Sequence, residues 1–186
     1  PITVNDRFLS ILPLSHTLEC TVGMLVALHG GACTYYFEKP PSPKNLLEAF
    51  QKIKPTVMLS VPLIIEKIYK NRILPQFQKN AFVKKLYSSD AIRKKLHKIA
   101  GKKLLASFGG ELHFFGIGGS KLSADVETFL RDAKFPYAVG YGLTETAPLL
   151  AGTNPAETKF QSTGRAIQSV QIKIASSDPY TREGEV

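Results

Sequence analysis

The sequence predicts an α/β fold, a mostly parallel sheet flanked by helices, with the start of a small β subdomain at the C-terminus. Three observations carry this expectation. Short apolar runs closed by proline or glycine alternate, from one end to the other, with stretches whose apolar residues fall at helical spacing. The long helical stretches interrupt the apolar runs instead of following them in one block, as parallel strands with helical crossovers require. After Pro148 the pattern changes to period two, with Val170, Ile172 and Ile174 on one face and Gln171 and Lys173 on the other.

Residues 8–12 form the first apolar run, stopped by Pro13, and read as a buried parallel strand. Residues 17–28 are apolar on most sides and close at Gly30 and Gly31, which predicts a buried helix with a left-handed cap. A second strand follows at residues 32–37. The prolines at 40, 41 and 43 then deliver an amphipathic helix capped by Ser42, with Leu46, Leu47, Phe50 and Ile53 on one side. Residues 56–61 are the third strand. Pro62 opens the next helix, with Leu63, Ile64, Ile65 and Ile68 inward and Glu66, Lys67 and Lys70 wet.

From 73 to 108 the pattern remains helical, with breaks near Pro75 and near residues 88–90, and reads as a basic helical insert. Residues 111–117 return to strand, 123–132 to helix and 137–140 to strand. The expected division is therefore residues 1–152 as a parallel α/β subdomain and 153–186 as the opening of a truncated β subdomain, with a turn at Ser177, Asp178 and Pro179. The whole reads as a fragment of something longer.

With 186 residues, 44% of them hydrophobic, the chain suits one domain with a proper core. No apolar stretch is long enough to span a bilayer, which favours a cytoplasmic location. Cys20 and Cys33 have neither metal-ligand nor redox spacing and read as reduced core thiols. The net charge of +9 is concentrated in residues 84–103, where eight lysines and arginines face the single acid Asp90. A solvated helix face is the simplest account, and peripheral contact with an anionic membrane is the sharper one. Only Tyr87 is interleaved with that run, so a base-stacking platform for nucleic acid is not expected.

The chemistry concentrates in residues 140–148, directly after the last strand. A glycine at 142 lets backbone approach a ligand, Tyr141 offers a flat face to a base, and the Thr144 hydroxyl can donate to a phosphate oxygen. Glu145 supplies a hard oxygen of the kind Mg²⁺ shares with substrate phosphates. Together they read as a nucleotide-phosphate site.

The string of residues 141–148, YGLTETAP, resembles the signature of adenylate-forming enzymes, the superfamily of acyl-CoA synthetases and luciferases. The resemblance implies that Tyr141 stacks on adenine, that Thr144 contacts phosphate and that Glu145 holds Mg²⁺, with Gly142 at the nucleotide. Gly118 and Gly119 resemble the family's glycine pair, whose backbone lies against adenine opposite the tyrosine, although Ser120 and Lys121 depart from its GGAPL form. Residues 12–19 resemble a PLxHxxE segment, which implies that His16 lies beside the acyl and phosphate pocket. Residues 162–166 resemble a later GSxGxP segment, with alanine where proline is usual.

Val61, Pro62, Leu63, Glu66, Lys67 and Tyr69 resemble the VPxxxEKxY segment of long-chain fatty acyl-CoA synthetases. The implied full-length protein is an AMP-forming long-chain fatty acid:CoA ligase using ATP, Mg²⁺ and CoA. Three family elements lie outside the match: the SGTTGxPKG phosphate loop, the ribose-binding aspartate and the domain carrying the catalytic lysine. The chain alone is thus expected to be inert. Another adenylating branch, for aryl or short-chain acids, and a basic non-enzymatic binding module remain as alternatives.

Overall fold

The computed structural model describes residues 2–38, 42–79, 87–176, 178 and 182–186. Strand β1 (Arg7–Leu9) leads to helix α1, π-wound over Glu19–Val26 and α-wound over Ala27–His29, and then to β2 (Cys33–Tyr35). Helix α2 (Pro43–Ile53) precedes β3 (Val57–Ser60). Helix α3 runs through Pro62–Ile68, a π turn Tyr69–Ile73 and Leu74–Phe77, and α4 spans Asp90–Ser107. Strand β4 (Phe114–Ile117), helix α5 (Ala124–Asp132) and strand β5 (Tyr137–Val139) complete the main layer.

The five strands pair in parallel in the order β2-β1-β3-β4-β5, as the alternating pattern predicts. Successive strand residues face opposite ways, so each strand divides its side chains between two layers. Met58, Phe115, Ile117, Tyr137 and Val139 join the main core with residues of α2 to α5. Its centre is aromatic: Phe50 and Phe108 lie 4.6 Å apart, and Phe108 and Phe135 each lie 5.6 Å from Phe115. Phe8 and Val57 face the other way, toward Ala27 of α1, with Phe114 packed against them. The alternation leaves Leu59, Gly116 and Ala138 on that second side.

Three expectations are corrected. Helix α1 is not buried: Ala27 and Gly23 meet the sheet, while Leu25, Val26 and Leu28 are exposed, Leu28 by 66%. One layer of contact covers one helix face, however apolar the others are. In α3, Leu63 is 57% exposed and Glu66 turns inward, because its Oε1 accepts from the Ser123 N–H at 3.0 Å at the start of α5. Residues 169–175 form no strand, since their pairing among the described residues is one bridge, Ala175 to Glu185. A ladder needs a partner, and period two alone does not provide one.

The small β structure lies elsewhere. It is an antiparallel sheet of β6 (Tyr141–Gly142), β7 (Leu149–Gly152) and β8 (Arg165–Ala166), so the division expected at 152/153 falls between β7 and β8. Ser42 does cap α2, accepting from the Asn45 N–H at 3.2 Å. The predicted break at Pro75 is a change of winding from the π turn to α. Both cysteines are free, and Cys33 is exposed on the outer strand. Prolines 40 and 41, Lys84, Lys85, Leu86, Ser177 and Pro179 lie outside the described residues. Among the described residues, no helix is long and apolar enough to cross a membrane.

Buried polar groups tie the layers together. His97, 2% exposed, bonds Asp132 through Nδ1 at 2.9 Å and the Tyr87 hydroxyl through Nε2 at 2.7 Å, joining α4 to α5. Burial lowers its pKa despite the Asp132 carboxylate. At the strand entries, Asp6 accepts from the Thr3 N–H (2.8 Å), the Thr56 hydroxyl (2.8 Å) and His113 Nε2 (2.7 Å). Burial opposes ionisation of Asp6, but these bonds outweigh it and hold the pKa at about 2.

Asp6 therefore stabilises the fold fully above its ordinary pKa of 3.8, and this contribution is lost as pH falls through about 2. The difference corresponds to about 2 kcal/mol. Urea unfolding across pH 5 to 2 should show this loss in the wild type and not in Asp6→Asn, which should be less stable at neutral pH. Identical pH profiles for the two proteins would remove Asp6 from that role.

Candidate functional site

Ligands of open α/β sheets bind beyond the carboxyl ends of the strands. Here β4 ends at Ile117 and β5 at Val139, and Gly140 extends their pairing by donating to the Ile117 carbonyl at 2.9 Å. Beyond Gly140 the chain turns into β6, a 3₁₀ turn (Thr144–Thr146) and β7. Three bonds close this loop on itself. The Leu143 N–H donates to the Pro148 carbonyl at 2.9 Å, and the Thr146 hydroxyl lies 2.7 Å from the same oxygen while accepting from Leu143 N–H at 3.0 Å. Ala147 takes a left-handed conformation, φ 56°, and the Ala147–Pro148 bond is cis.

Glycine at 142 is required by space. An added Cβ would stand 1.7 Å from the Pro148 oxygen, well inside any tolerable contact. Gly119 is required by conformation, with φ at +92° where a side chain would strain the backbone. The sequence thus folds two separated segments into tight turns that face each other at the sheet's carboxyl edge.

Between them and α1 lies a cavity of about 410 Å³. Its wall includes every site residue expected from the sequence: His16, Gly118, Gly119, Tyr141, Gly142, Thr144 and Glu145. The rest is mainly apolar, with Leu18, just before α1, and Val22 of α1 opposite Leu59, Phe114, Gly116 and Ala138 of the sheet. The small residues Gly116 and Ala138 leave room that larger side chains would fill. A second cavity, of about 440 Å³, lies across the Gly140–Leu143 segment and is lined by Ser120, Lys121, Gln161, Ser162 and Thr163. Gly119 and Tyr141 border both.

His16 is exposed at the cavity, and its Nδ1 accepts from the Leu18 N–H at 3.2 Å. In the neutral ring that bond puts the proton on Nε2, as a donor. Thr144 and Glu145 are exposed on the 3₁₀ turn. Among the described residues no three histidines, cysteines or acids gather as a metal cage. Glu145 still fits Mg²⁺, which keeps waters and binds through one or two carboxylates plus phosphate oxygens.

Sequence reasoning passed over several wall residues. Thr17 lines the first cavity with a buried hydroxyl that has no partner among the described residues, and its only sequence signal is its place beside His16. Gln161 borders the second cavity because its N–H (3.0 Å) and Nε2 (2.6 Å) both donate to buried Glu127, which also accepts from the Tyr137 hydroxyl at 2.9 Å. Burial raises the Tyr137 pKa. Nothing in the local sequence announces that link across 34 residues.

A parallel α/β sheet with paired cavities at its carboxyl edge defines the class. The chain belongs to the AMP-binding enzyme family, whose model matches residues 1–186. It is 30% identical to the long-chain-fatty-acid–CoA ligase 1 of Saccharomyces cerevisiae over 91% of this chain and 26% of the relative. It is 29% identical to the 4-coumarate–CoA ligase of Pinus taeda over 98% of this chain and 30% of that protein. The o-succinylbenzoate CoA synthetase of Bacillus subtilis, solved with ATP and magnesium ion, superposes with a TM-score of 0.63 at 19% identity, covering 100% of this chain and 31% of that one. The chain thus spans roughly a quarter to a third of the length of these proteins.

Replacing Gly142 with alanine should force the 142–148 closure open, at about 1–3 kcal/mol if the sheet stays folded. Urea unfolding of Gly142→Ala beside the wild type measures it. An unchanged midpoint would mean that the loop does not hold the approach described.

Proposed function

We propose that the full-length protein is an AMP-forming long-chain fatty acid:CoA ligase, and that this chain carries the central part of its adenylation site. The observation that carries the reading is convergence. His16, Gly118 with Gly119, and residues 141–145 come from three distant stretches and line one cavity at the sheet's carboxyl edge. The chemistry is attack of a fatty carboxylate on the α-phosphate of ATP, releasing pyrophosphate, followed by transfer of the acyl group from the adenylate to the CoA thiol with release of AMP.

In this reading the first cavity receives the acyl group and the reacting phosphates, and the adenine lies at Tyr141 and Gly119 where the two cavities meet. Tyr141 stacks on the adenine opposite the Gly118–Gly119 backbone, with Gly142 giving the close approach. Thr144 donates to a phosphate oxygen, and Glu145 holds Mg²⁺, whose charge offsets that developing on the phosphates. His16, donating through Nε2, orients the reacting carboxylate or phosphate. A cytoplasmic setting with reversible membrane contact suits a substrate stored in bilayers. The similarity to a 4-coumarate ligase supports an aryl acid as the second candidate substrate.

ATP:pyrophosphate exchange separates these readings. The full-length protein should exchange with palmitate and Mg²⁺ well above the rate with 4-coumarate or benzoate; the reverse order would select the aryl branch, and no exchange with any acid would defeat both. Residues 1–186 tested alone should show no exchange; exchange above the no-protein control would mean that this stretch suffices for adenylation.

In the full-length enzyme, Glu145→Gln should lower the adenylation rate about tenfold to a thousandfold while leaving the melting temperature unchanged. Equal rates for variant and wild type throughout a Mg²⁺ titration would take Glu145 out of the metal site.

A further inference from the structure

Helix α4 contributes no residue to the lining of either site cavity and is built unevenly. His97, Gly101 and Leu104 are buried, with Leu96 and Leu105 packed against the core, so these leucines serve the fold. The opposite face carries Lys94, Lys95, Lys98, Lys102 and Lys103, all exposed, around Ile99, which is 55% exposed. Gly101 lets α4 approach the end of α5 closely, since a Cβ there would stand 2.5 Å from that of Ala133. Beside this contact is a groove of about 300 Å³ with Lys98, Lys102 and Lys134 at its rim and Leu105, Ala133 and Phe135 among its lining.

The charges in this patch are not balanced by neighbouring acids. Asp90 is engaged by Arg93 and Lys94, and Asp132 by His97. Among the described residues, Lys95, Lys98, Lys102, Lys103 and Lys134 make no ion pair. Like charges one helical turn apart, as in Lys98 and Lys102, destabilise a helix. Lys134 is held beside it by the left-handed cap that closes α5, φ 54°, with the Phe135 N–H bonded to the Leu130 carbonyl at 2.9 Å. Three lysines without an ion pair line one groove, and an anion is the partner that would offset the repulsion among them.

We propose that the outer face of α4, with the Lys98–Lys102–Lys134 groove, is a docking surface for an anionic phospholipid bilayer, a headgroup phosphate seating among the three lysines and Ile99 meeting the interface. The charge pattern carries this, independently of the ligase reading. A bilayer suits the face better than nucleic acid because its one large exposed hydrophobic residue is aliphatic. Among the described residues, the exposed aromatics Tyr35, Tyr36 and Phe160 lie on other segments, away from this helix.

Co-sedimentation of the full-length protein with vesicles tests it. Binding should be strong to phosphatidylcholine and phosphatidylglycerol in equal parts, weak to phosphatidylcholine alone, and lost at high salt as the charges are screened. Each lysine near such a surface is worth about fivefold in binding, so the Lys98→Gln, Lys102→Gln, Lys134→Gln triple variant should bind about a hundredfold more weakly. The same change at Lys44, Lys159 and Lys173 is the control and should matter far less. If the triple variant fails to fold, the single variants should each lose about fivefold. Equal losses in triple variant and control, salt-insensitive binding to neutral vesicles, or tighter binding to a single-stranded oligonucleotide than to anionic vesicles would each overturn the proposal.

Discussion

The close approach of Gly142 to the Pro148 carbonyl is the constraint on which the site depends. With no side chain at 142, the chain leaving β5 can fold back after six residues and pair as β6 with β7. That reversal lifts Thr144 and Glu145 onto a short exposed turn, and it keeps Tyr141 in the wall between two cavities. Thr146, whose hydroxyl bonds both ends of the reversal, holds it shut. Two neighbouring threonines therefore have different work: Thr144 faces the cavity and Thr146 faces its own backbone.

The parallel sheet supplies the other half of the geometry. Its helix-covered side is packed with large rings, whereas Gly116 and Ala138 keep the opposite side low beneath α1. The aromatic layer can hold the strands without intruding on the cavity, because alternation sends neighbouring residues to opposite faces. Buried polar links then hold the layers at fixed distances: Asp6 at the strand entries, His97 between α4 and α5, and Glu127 from β5 to Gln161.

Much of this was legible in the sequence because the information is local. Apolar runs at residues 8, 57, 114 and 137 are buried strands, and the residues at 141–145 carry their chemical character in consecutive positions. What was not legible depends on neighbours distant in the chain. Leu28 is exposed because the sheet meets only one side of α1, which no composition of that helix reveals. Glu66 is drawn inward by a backbone N–H 57 residues away. Strands of two residues, such as β6 and β8, are too short to show a period, while the clear alternation at 169–175 found no ladder to join.

Gly119 and the Val139–Leu143 segment, Tyr141 included, belong to the boundaries of both cavities. Whatever fills one chamber meets the same residues that bound the other. Any shift of Tyr141 that favours one occupant changes the free energy of admitting the second, and the effect must be equal in both directions. The two chambers are therefore one thermodynamic unit, coupled through a shared wall.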